Sequence, residues 1–125
     1  QVACLENGAA HLVPGGRFVV EVGIPQLRRL PPGERANVLG VEDGYWGIAE
    51  FDVVGQRQVN HHLAATEDGI RHKWVPFRYA WPSELDLMAR LAGLRLRDRW
   101  ADWHGAPLTA ESRSHVSVWE KPAAA

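Results

Sequence analysis

The sequence predicts an α/β fold, and three patterns lead to this expectation. Near the start of the chain, a helical segment passes through a Pro-Gly-Gly turn into a short apolar strand. The middle of the chain is rich in strands and hairpin turns, and a well-delimited helix followed by two strands ends it. With 125 residues, 46% of them hydrophobic, the chain is long enough for the core of one domain.

The first helix and strand are predicted from residues 2–13 and 17–22. Apolar residues stand at helical spacing in the first segment, namely Leu5, Ala9 and Leu12. Pro14 and the two glycines after it end this helix. The strand RFVVEV lacks a strict polar alternation, which predicts burial on both faces, as in a parallel sheet. Helix and strand together make half of a βαβ unit, so we expect another strand to precede Gln1.

The run HLVPGGRFVVEVG (residues 11–23) resembles the fifth-strand segment of class I S-adenosylmethionine-dependent methyltransferases, where a helix ending in L-x-P-G-G leads into the central strand. The later A-G-L helix end at residues 92–94 and the final strand HVSVWEK at residues 115–121 resemble the way such domains finish. The resemblance spans the whole chain but only the C-terminal half of the family's domain. It implies the C-terminal part of a Rossmann-like methyltransferase sheet: helix, central strand, antiparallel β-meander insertion, helix and two closing strands.

The middle segment, residues 24–81, is predicted to be a connector followed by a β-meander. Three strands are expected over residues 46–54, 57–66 and 70–80, because Gly55-Gln56 and Asp68-Gly69 are hairpin signals between β-rich runs. Pro76 has no amide hydrogen for a ladder, which predicts an edge or bulged strand. The resemblance implies that this insertion forms a substrate-binding lid or a dimerisation surface.

The last segment begins with a predicted helix over residues 82–93, with a capping box from Ser83 to Asp86 and a C-terminal Gly93. The next strand, over residues 94–103, alternates. We expect its apolar side chains to face inward (Leu94, Leu96 and Trp100) and its arginines to face solvent (Arg95, Arg97 and Arg99). The predicted segments of the whole chain are therefore 1–23 (helix and central strand), 24–81, 82–121 (helix and closing strands) and 122–125 (tail).

Charge and composition exclude several classes of partner. The net charge is −1 with no block of like charge, so neither nucleic acid nor a membrane surface is an expected partner. The single cysteine, Cys4, on the first helix near its apolar face, cannot form an internal disulfide, and no apolar run approaches the roughly 18 residues of a membrane span. We expect a cytoplasmic protein.

The donor cofactor has no predicted site in these residues. None of the twelve glycines stands in a G-x-G pattern, the kind of turn that brings backbone amides close to a nucleotide. The resemblance implies that S-adenosylmethionine is the cofactor of the intact domain and that its glycine motif and ribose-binding acid belong to the N-terminal half. We therefore expect the chain alone to bind S-adenosylmethionine weakly and to be inactive.

Four residues are candidates for contact with an acceptor substrate: Glu21, His61, Arg78 and Tyr79. Glu21 stands near the carboxyl end of the central strand, facing either a cleft or a basic neighbour. Arg78 and Tyr79 lie in an F-R-Y-x-W run that either orients an anionic or hydroxylated acceptor or stacks an arginine on a ring such as Trp74. His61 or His62 is either a base for the acceptor or an ordinary solvated or core histidine. Their adjacency on a strand points them to opposite faces, so no metal site is expected.

Two functions of different kinds remain open. The first is part of a methyltransferase that transfers a methyl group to a small-molecule acceptor. The second is a stand-alone β-rich module for ligand binding or dimerisation, without catalysis. A central strand without its parallel neighbours also predicts a homodimer or higher assembly, with a second copy covering Phe18 to Val22 or the helix from Val2 to Leu12.

Overall fold

A computed structural model describes residues 1–123 and divides the chain into two compact units. The last two residues of the predicted tail, 124 and 125, lie outside the described residues. One unit comprises Gln1–Pro25 and the chain from Ala80 onward, and the other comprises Gln26–Tyr79. In chain order the elements are α1 (Val2–His11), β1 (Arg17–Gly23), a short 3₁₀ helix (Leu27–Arg29), β2 (Ala36–Glu42), β3 (Tyr45–Asp52), β4 (Arg57–Thr66), β5 (Gly69–Arg78), α2 (Pro82–Leu91), β6 (Arg95–Trp100) and β7 (Ser114–Glu120).

The first unit is a three-stranded antiparallel sheet in the order β1-β7-β6, with α1 and α2 packed on one face. Its central strand, β7, is buried on both faces. The core beneath the helices combines Leu5 and Ala9 of α1, Leu85, Met88 and Ala89 of α2, and Leu94 and Trp119. Helix α1 comes so close to β1 that a Cβ atom added to Gly8 would lie 2.3 Å from Cε2 of Phe18. Glycine therefore sets the distance between this helix and the sheet. Neither helix among residues 1–123 has the length and hydropathy of a bilayer-spanning segment.

Strand β1 differs from the prediction that it is buried on both faces. Phe18, Val20 and Val22 are half-buried and pack into the core under the helices, whereas Val19 and Glu21 are exposed. The reason is its position, since among residues 1–123 β1 has a single neighbouring strand, β7. Cys4 is likewise exposed and does not lie on the packed side of α1.

Strand β6 also corrects the sequence prediction. A bulge between Leu96 and Asp98 shifts its register on β7, so that Arg99 pairs with Ser117 on the helix-covered face. Only 14% of the Arg99 side chain is exposed, whereas Leu96 is exposed. A bulge adds one residue to one strand and reverses the alternation beyond it, which is why the predicted inward and outward rows fail after Leu96. Arg95 and Arg97 are exposed, as expected.

Helix α2 begins at Pro82, but the predicted capping box is wrong. Trp81 is the N-cap residue and makes no side-chain capping bond. The carboxylate of Asp86 instead accepts hydrogen bonds from side chains of the sheet, as described below. The buried residues of α2 are Leu85, Met88 and Ala89. The predicted Gly93 at the end of the helix is confirmed, with a left-handed φ of 75°.

The second unit is a four-stranded antiparallel meander in the order β2-β3-β4-β5. Three of these strands were predicted. Strand β2 was not, although Asp43-Gly44, the turn that joins it to β3, is a hairpin signal. One face has a small core of Ala49, Phe51 and Tyr79, covered by Leu27 and Leu30. The opposite face, called the open face below, carries Val38, Val41, Trp46, Glu50, His61, His72 and Trp74. Strand β5 lies at the edge of the sheet, in agreement with Pro76.

Candidate functional site

His61 is the middle member of a row of three polar side chains on the open face. Its Nε2 atom lies 3.1 Å from Oε2 of Glu50, and its Nδ1 atom lies 3.0 Å from Nε2 of His72. The carboxylate only accepts hydrogen bonds, so it fixes the tautomer in which Nε2–H of His61 donates to it. The Nδ1 atom of His61 then carries a lone pair and accepts from Nε2–H of His72. Three neighbouring strands of one ladder hold this row in place.

His62 lies on the opposite face of β4, as the alternation of a strand requires. Its Nδ1 atom lies 2.6 Å from the hydroxyl oxygen of Tyr45, and the two rings are stacked with their centroids 6.0 Å apart. The two adjacent histidines therefore have separate partners and take part in separate clusters.

Arg78 and Tyr79 occupy different environments at the end of β5. The Arg78 guanidinium donates to Oε1 of Gln56 at 3.1 Å from an exposed position. Tyr79 is buried, and its ring packs edge-on against Phe51 with the centroids 6.3 Å apart. Burial, together with the negative charge of Asp52, raises the pKa of the Tyr79 phenol above its usual value. The structure thus gives Tyr79 a place in the small core, and its contact with an acceptor stays a prediction.

Glu21 lies on the exposed side of β1. Its Oε2 atom accepts a hydrogen bond of 2.8 Å from the indole Nε1–H of Trp103, in the loop that follows β6. The carboxylate therefore has a neutral aromatic donor as its partner. Glu21 stands near the carboxyl end of β1.

The first unit contains a second polar cluster, which sequence reasoning missed. Arg99 donates to both carboxylate oxygens of Asp86, at 3.0 and 2.5 Å, and its Nε–H donates to Oγ of Ser117 at 2.7 Å. Asp86 also accepts from the indole Nε1–H of Trp119 at 2.9 Å. The Arg99 guanidinium lies 5.9 Å from the centroid of the Trp119 ring. These bonds tie α2 to β6 and β7 within the first unit.

His115 continues this cluster into the interior. The residue is fully buried, its Nδ1 atom lies 2.7 Å from Oγ of Ser117, and its Nε2 atom has no hydrogen-bond partner among residues 1–123. Burial disfavours the imidazolium and lowers the pKa of His115, the positive charge of Arg99 lowers it further, and the Asp86 carboxylate acts in the opposite direction. The imidazole is therefore held neutral. His115 pairs with Val22, at the carboxyl end of β1.

A group of three or more histidine, cysteine or acidic side chains placed to hold a metal ion is absent from the described part of the chain. The exposed Cys4 forms no disulfide. Of the clusters described above, the Glu50–His61–His72 row lies in the second unit and the Asp86–Arg99–Ser117–His115 cluster lies in the first.

Solved methyltransferases are similar to this chain. The CcbJ methyltransferase from Streptomyces caelestis is 37% identical, with a TM-score of 0.80, over 96% of this chain and 52% of its own. An S-adenosylmethionine-dependent methyltransferase from Clostridium acetobutylicum ATCC 824 is 10% identical, with a TM-score of 0.68, over 97% of this chain and 50% of its own. CalS10 of Micromonospora echinaspora is an amino pentose methyltransferase of calicheamicin biosynthesis, solved with S-adenosylmethionine bound. It is 19% identical, with a TM-score of 0.53, over 96% of this chain and 50% of its own.

These comparisons confirm the predicted resemblance and the predicted fold class. The more distant structures show the shared fold, and CcbJ adds sequence similarity that extends over both units. The chain spans about half the length of these structures. No protein-family model and no curated protein matches it.

The buried His115 predicts a pH dependence of stability. Its pKa is lowered in the folded chain, so between that value and the unfolded value of about 6.5 the unfolded chain binds more protons. The free energy of unfolding therefore falls as the pH falls below about 6.5, by up to roughly 1.4 kcal/mol per pH unit from this group, and above that pH the group contributes no dependence.

Urea unfolding of the parent chain and of the His115→Gln variant at several pH values between 5 and 8 measures this contribution. We expect the variant to be less stable at neutral pH and to have a flatter profile below about pH 6.5. The His104→Gln variant, which changes an exposed histidine, is the control and should keep the parent's slope. Equal slopes in the parent and in His115→Gln would contradict the assignment.

Proposed function

We propose that this chain, whose fold is that of the C-terminal part of an S-adenosylmethionine-dependent methyltransferase, contributes the acceptor side and the lid of an enzyme that methylates a small molecule. The observation that carries the proposal is the 37% identity to the CcbJ methyltransferase over 96% of the chain. That similarity spans both units, so it favours the enzyme over a stand-alone ligand-binding or dimerisation module. The lone, exposed Cys4 suits the reducing cytoplasm, where we place the enzyme.

The donor site, in this proposal, is built by residues outside the 125. The glycines of the chain form no G-x-G turn, and the similar structures are about twice as long. Bound S-adenosylmethionine supplies the methyl group that is transferred. The chain's own contribution is to orient an acceptor, because an aligned nucleophile accounts for a large part of the rate of such a transfer.

The acceptor-side residues differ in their support. Arg78 is exposed at the end of β5, and its guanidinium suits an anionic or hydroxylated acceptor. Glu50 fixes the tautomer of His61, so that Nδ1 of His61 can accept a proton. In this role the proton would reach His61 by way of His72, which is hydrogen-bonded to Nδ1. Glu21 stands at the carboxyl end of β1, and the burial of Tyr79 favours a role in positioning its neighbour Arg78. We propose these four as the residues that face the acceptor or support those that do.

We also propose that the chain by itself assembles with a second copy. Strand β1 pairs on one side only among residues 1–123, and the adjacent Val19 is exposed. A half-paired strand with exposed apolar side chains invites pairing with another chain. A copy that covers β1 or α1 would satisfy this edge.

Light scattering coupled to size-exclusion chromatography tests the assembly. At micromolar concentration we expect the mass of a dimer or a larger species for the 125-residue chain. Two variants separate loss of folding from loss of assembly. Val20→Pro removes a backbone donor of β1 and tests folding. Val19→Lys places a charge beside the edge, and it should remain folded by circular dichroism and become monomeric. A monodisperse monomer of the parent chain would contradict the proposal.

Calorimetric titration of S-adenosylmethionine tests the division of the enzyme. The 125-residue chain should give no saturable heat, because the proposed donor site is absent from it. A chain extended at its N-terminus to include the proposed donor-site residues should bind one equivalent.

Equal and tight binding by both forms would overturn the assignment of the donor site to preceding residues. Absence of binding in both forms, with both folded by circular dichroism, would contradict the methyltransferase and favour the stand-alone module.

A further inference from the structure

His61 and His72 bring two imidazole nitrogens into contact on the open face. The two residues stand diagonally on neighbouring strands of the open face, where His61 is paired with Trp74 and His72 with Leu63. Their facing nitrogens, Nδ1 of His61 and Nε2 of His72, are 3.0 Å apart. His72 is exposed, and a quarter of the His61 side chain is exposed. Two imidazole nitrogens therefore face each other at a surface open to solvent.

We propose that His61 and His72 form a two-histidine site for a borderline divalent transition-metal ion, represented by Zn²⁺ and Cu²⁺. Imidazole nitrogens bind Zn²⁺ at about 2.0–2.1 Å, so two of them at 90° to 109° around the ion are separated by about 2.8–3.4 Å. The observed separation of 3.0 Å lies in this interval. An ion bound to both lies beside the line between the two nitrogens. The rings are stacked at an interplanar angle of 24°, so the exposed His72 ring has to turn to direct its Nε2 lone pair at the ion.

Both histidines can bind the ion as neutral imidazoles, and neither has to release a proton to solvent. His61 already has its Nδ1 lone pair available, because its Nε2–H donates to Glu50. His72 has to present a lone pair at Nε2, so its proton moves from Nε2 to Nδ1, which is a change of tautomer. Two neutral imidazoles then coordinate the ion.

Glu50 gives this site the outer support that histidine ligands of metals usually have. A metal-bound histidine commonly donates its other ring N–H to a carboxylate, which fixes the ring and raises its basicity as a ligand. The 3.1 Å contact between Nε2 of His61 and Oε2 of Glu50 is such a contact. Arg35 holds the other carboxylate oxygen, with Nε 3.5 Å from Oε1. The row Arg35–Glu50–His61 thus orients the first ligand before an ion arrives.

The ligand set selects the kind of ion and leaves positions for a second ligand. Nitrogen donors favour Cu²⁺ and Zn²⁺ over the oxygen-preferring Mg²⁺ and Ca²⁺. Two protein ligands leave at least two positions of a four-coordinate ion open. A small molecule with an amine, hydroxyl or carboxylate group has the chemistry to occupy them. This site does not depend on methyl transfer, so it stands or falls separately from the proposed function.

Isothermal titration of Zn²⁺ and of Cu²⁺ into the 125-residue chain at pH 7.5 tests the proposal, with Mg²⁺ as the hard-ion comparison. We expect one saturable site per chain for each transition ion and none for Mg²⁺. The His62→Ala variant is the matched control, since it removes the adjacent histidine on the opposite face and should retain the site. The His61→Ala and His72→Ala variants should lose it. Glu50→Gln should weaken binding by roughly 10-fold or more through the outer contact.

A spectroscopic readout keeps the result independent of folding losses. Electron paramagnetic resonance of the Cu²⁺-loaded parent chain should show two coordinated nitrogens, and the His72→Ala variant, on an exposed edge strand, should remain folded and show fewer. Equal affinities of the His62→Ala and His72→Ala variants would overturn the proposal. Failure of the parent to bind either transition ion at millimolar concentration would overturn it as well.

Discussion

The pairing of β7 with strands on both sides is the constraint on which the first unit depends. Both faces of this strand are buried, so its side chains determine which groups line the core on each side of the sheet. Trp119 reaches the hydrophobic core under the helices, while Ser117 and His115 on the same face bring polar groups into it. A polar face under a helix is stable only when its groups are paired. Arg99 donates to Ser117, and Asp86 of α2 accepts from Arg99 and Trp119, so these bonds hold α2 on the sheet. Nε2 of His115 has no partner among residues 1–123.

The sequence predicted the elements built from local patterns and failed where a feature depends on tertiary pairing. The helix from Pro82 and the end at Gly93 follow from residue type and φ preference, and both are present. The bulge after Leu96 has no signal in an alternating run of leucine and arginine. It is set by the pairing with β7, and it turns Arg99 from a solvated residue into a buried partner of Asp86.

The capping role assigned to Asp86 failed for a related reason. A serine three residues before an acid at the start of a helix is a typical capping pattern, yet the carboxylate makes a stronger, charge-assisted bond to a guanidinium than to a backbone amide. It also accepts from the Trp119 indole. The tertiary partners were invisible along the chain. By contrast, β2 was predictable, because Asp43-Gly44 is a two-residue hairpin signal.

For the candidate residues of the second unit, the register of a hairpin determines which neighbours can be predicted from the sequence. His61 was identified and its separation from His62 followed from strand alternation. Its actual partner, His72, lies across a hairpin whose two-residue loop pairs Thr66 with Gly69 and so fixes every pair behind it. Counting back from that turn brings His61 and His72 to the same face. Glu50 required the register of a further strand, joined by a longer loop at residues 53–56, which the sequence does not determine.

The open edge of β1 is the point where the chain is proposed to join the rest of a methyltransferase. The amide of Ile24 donates to Arg113 and that of Lys121 donates to Gly16, so the even-numbered residues of β1 direct their amides toward β7. The amides of Val19 and Glu21 point to the other edge.

Hydrogen exchange measured by NMR on the N-terminally extended chain, at a concentration where it is monomeric, tests this arrangement most directly. The account predicts that the amides of Val19 and Glu21 exchange as slowly as those of Val20 and Val22, because a preceding strand pairs with them. Rapid exchange of Val19 and Glu21 beside slow exchange of Val20 and Val22 would contradict it.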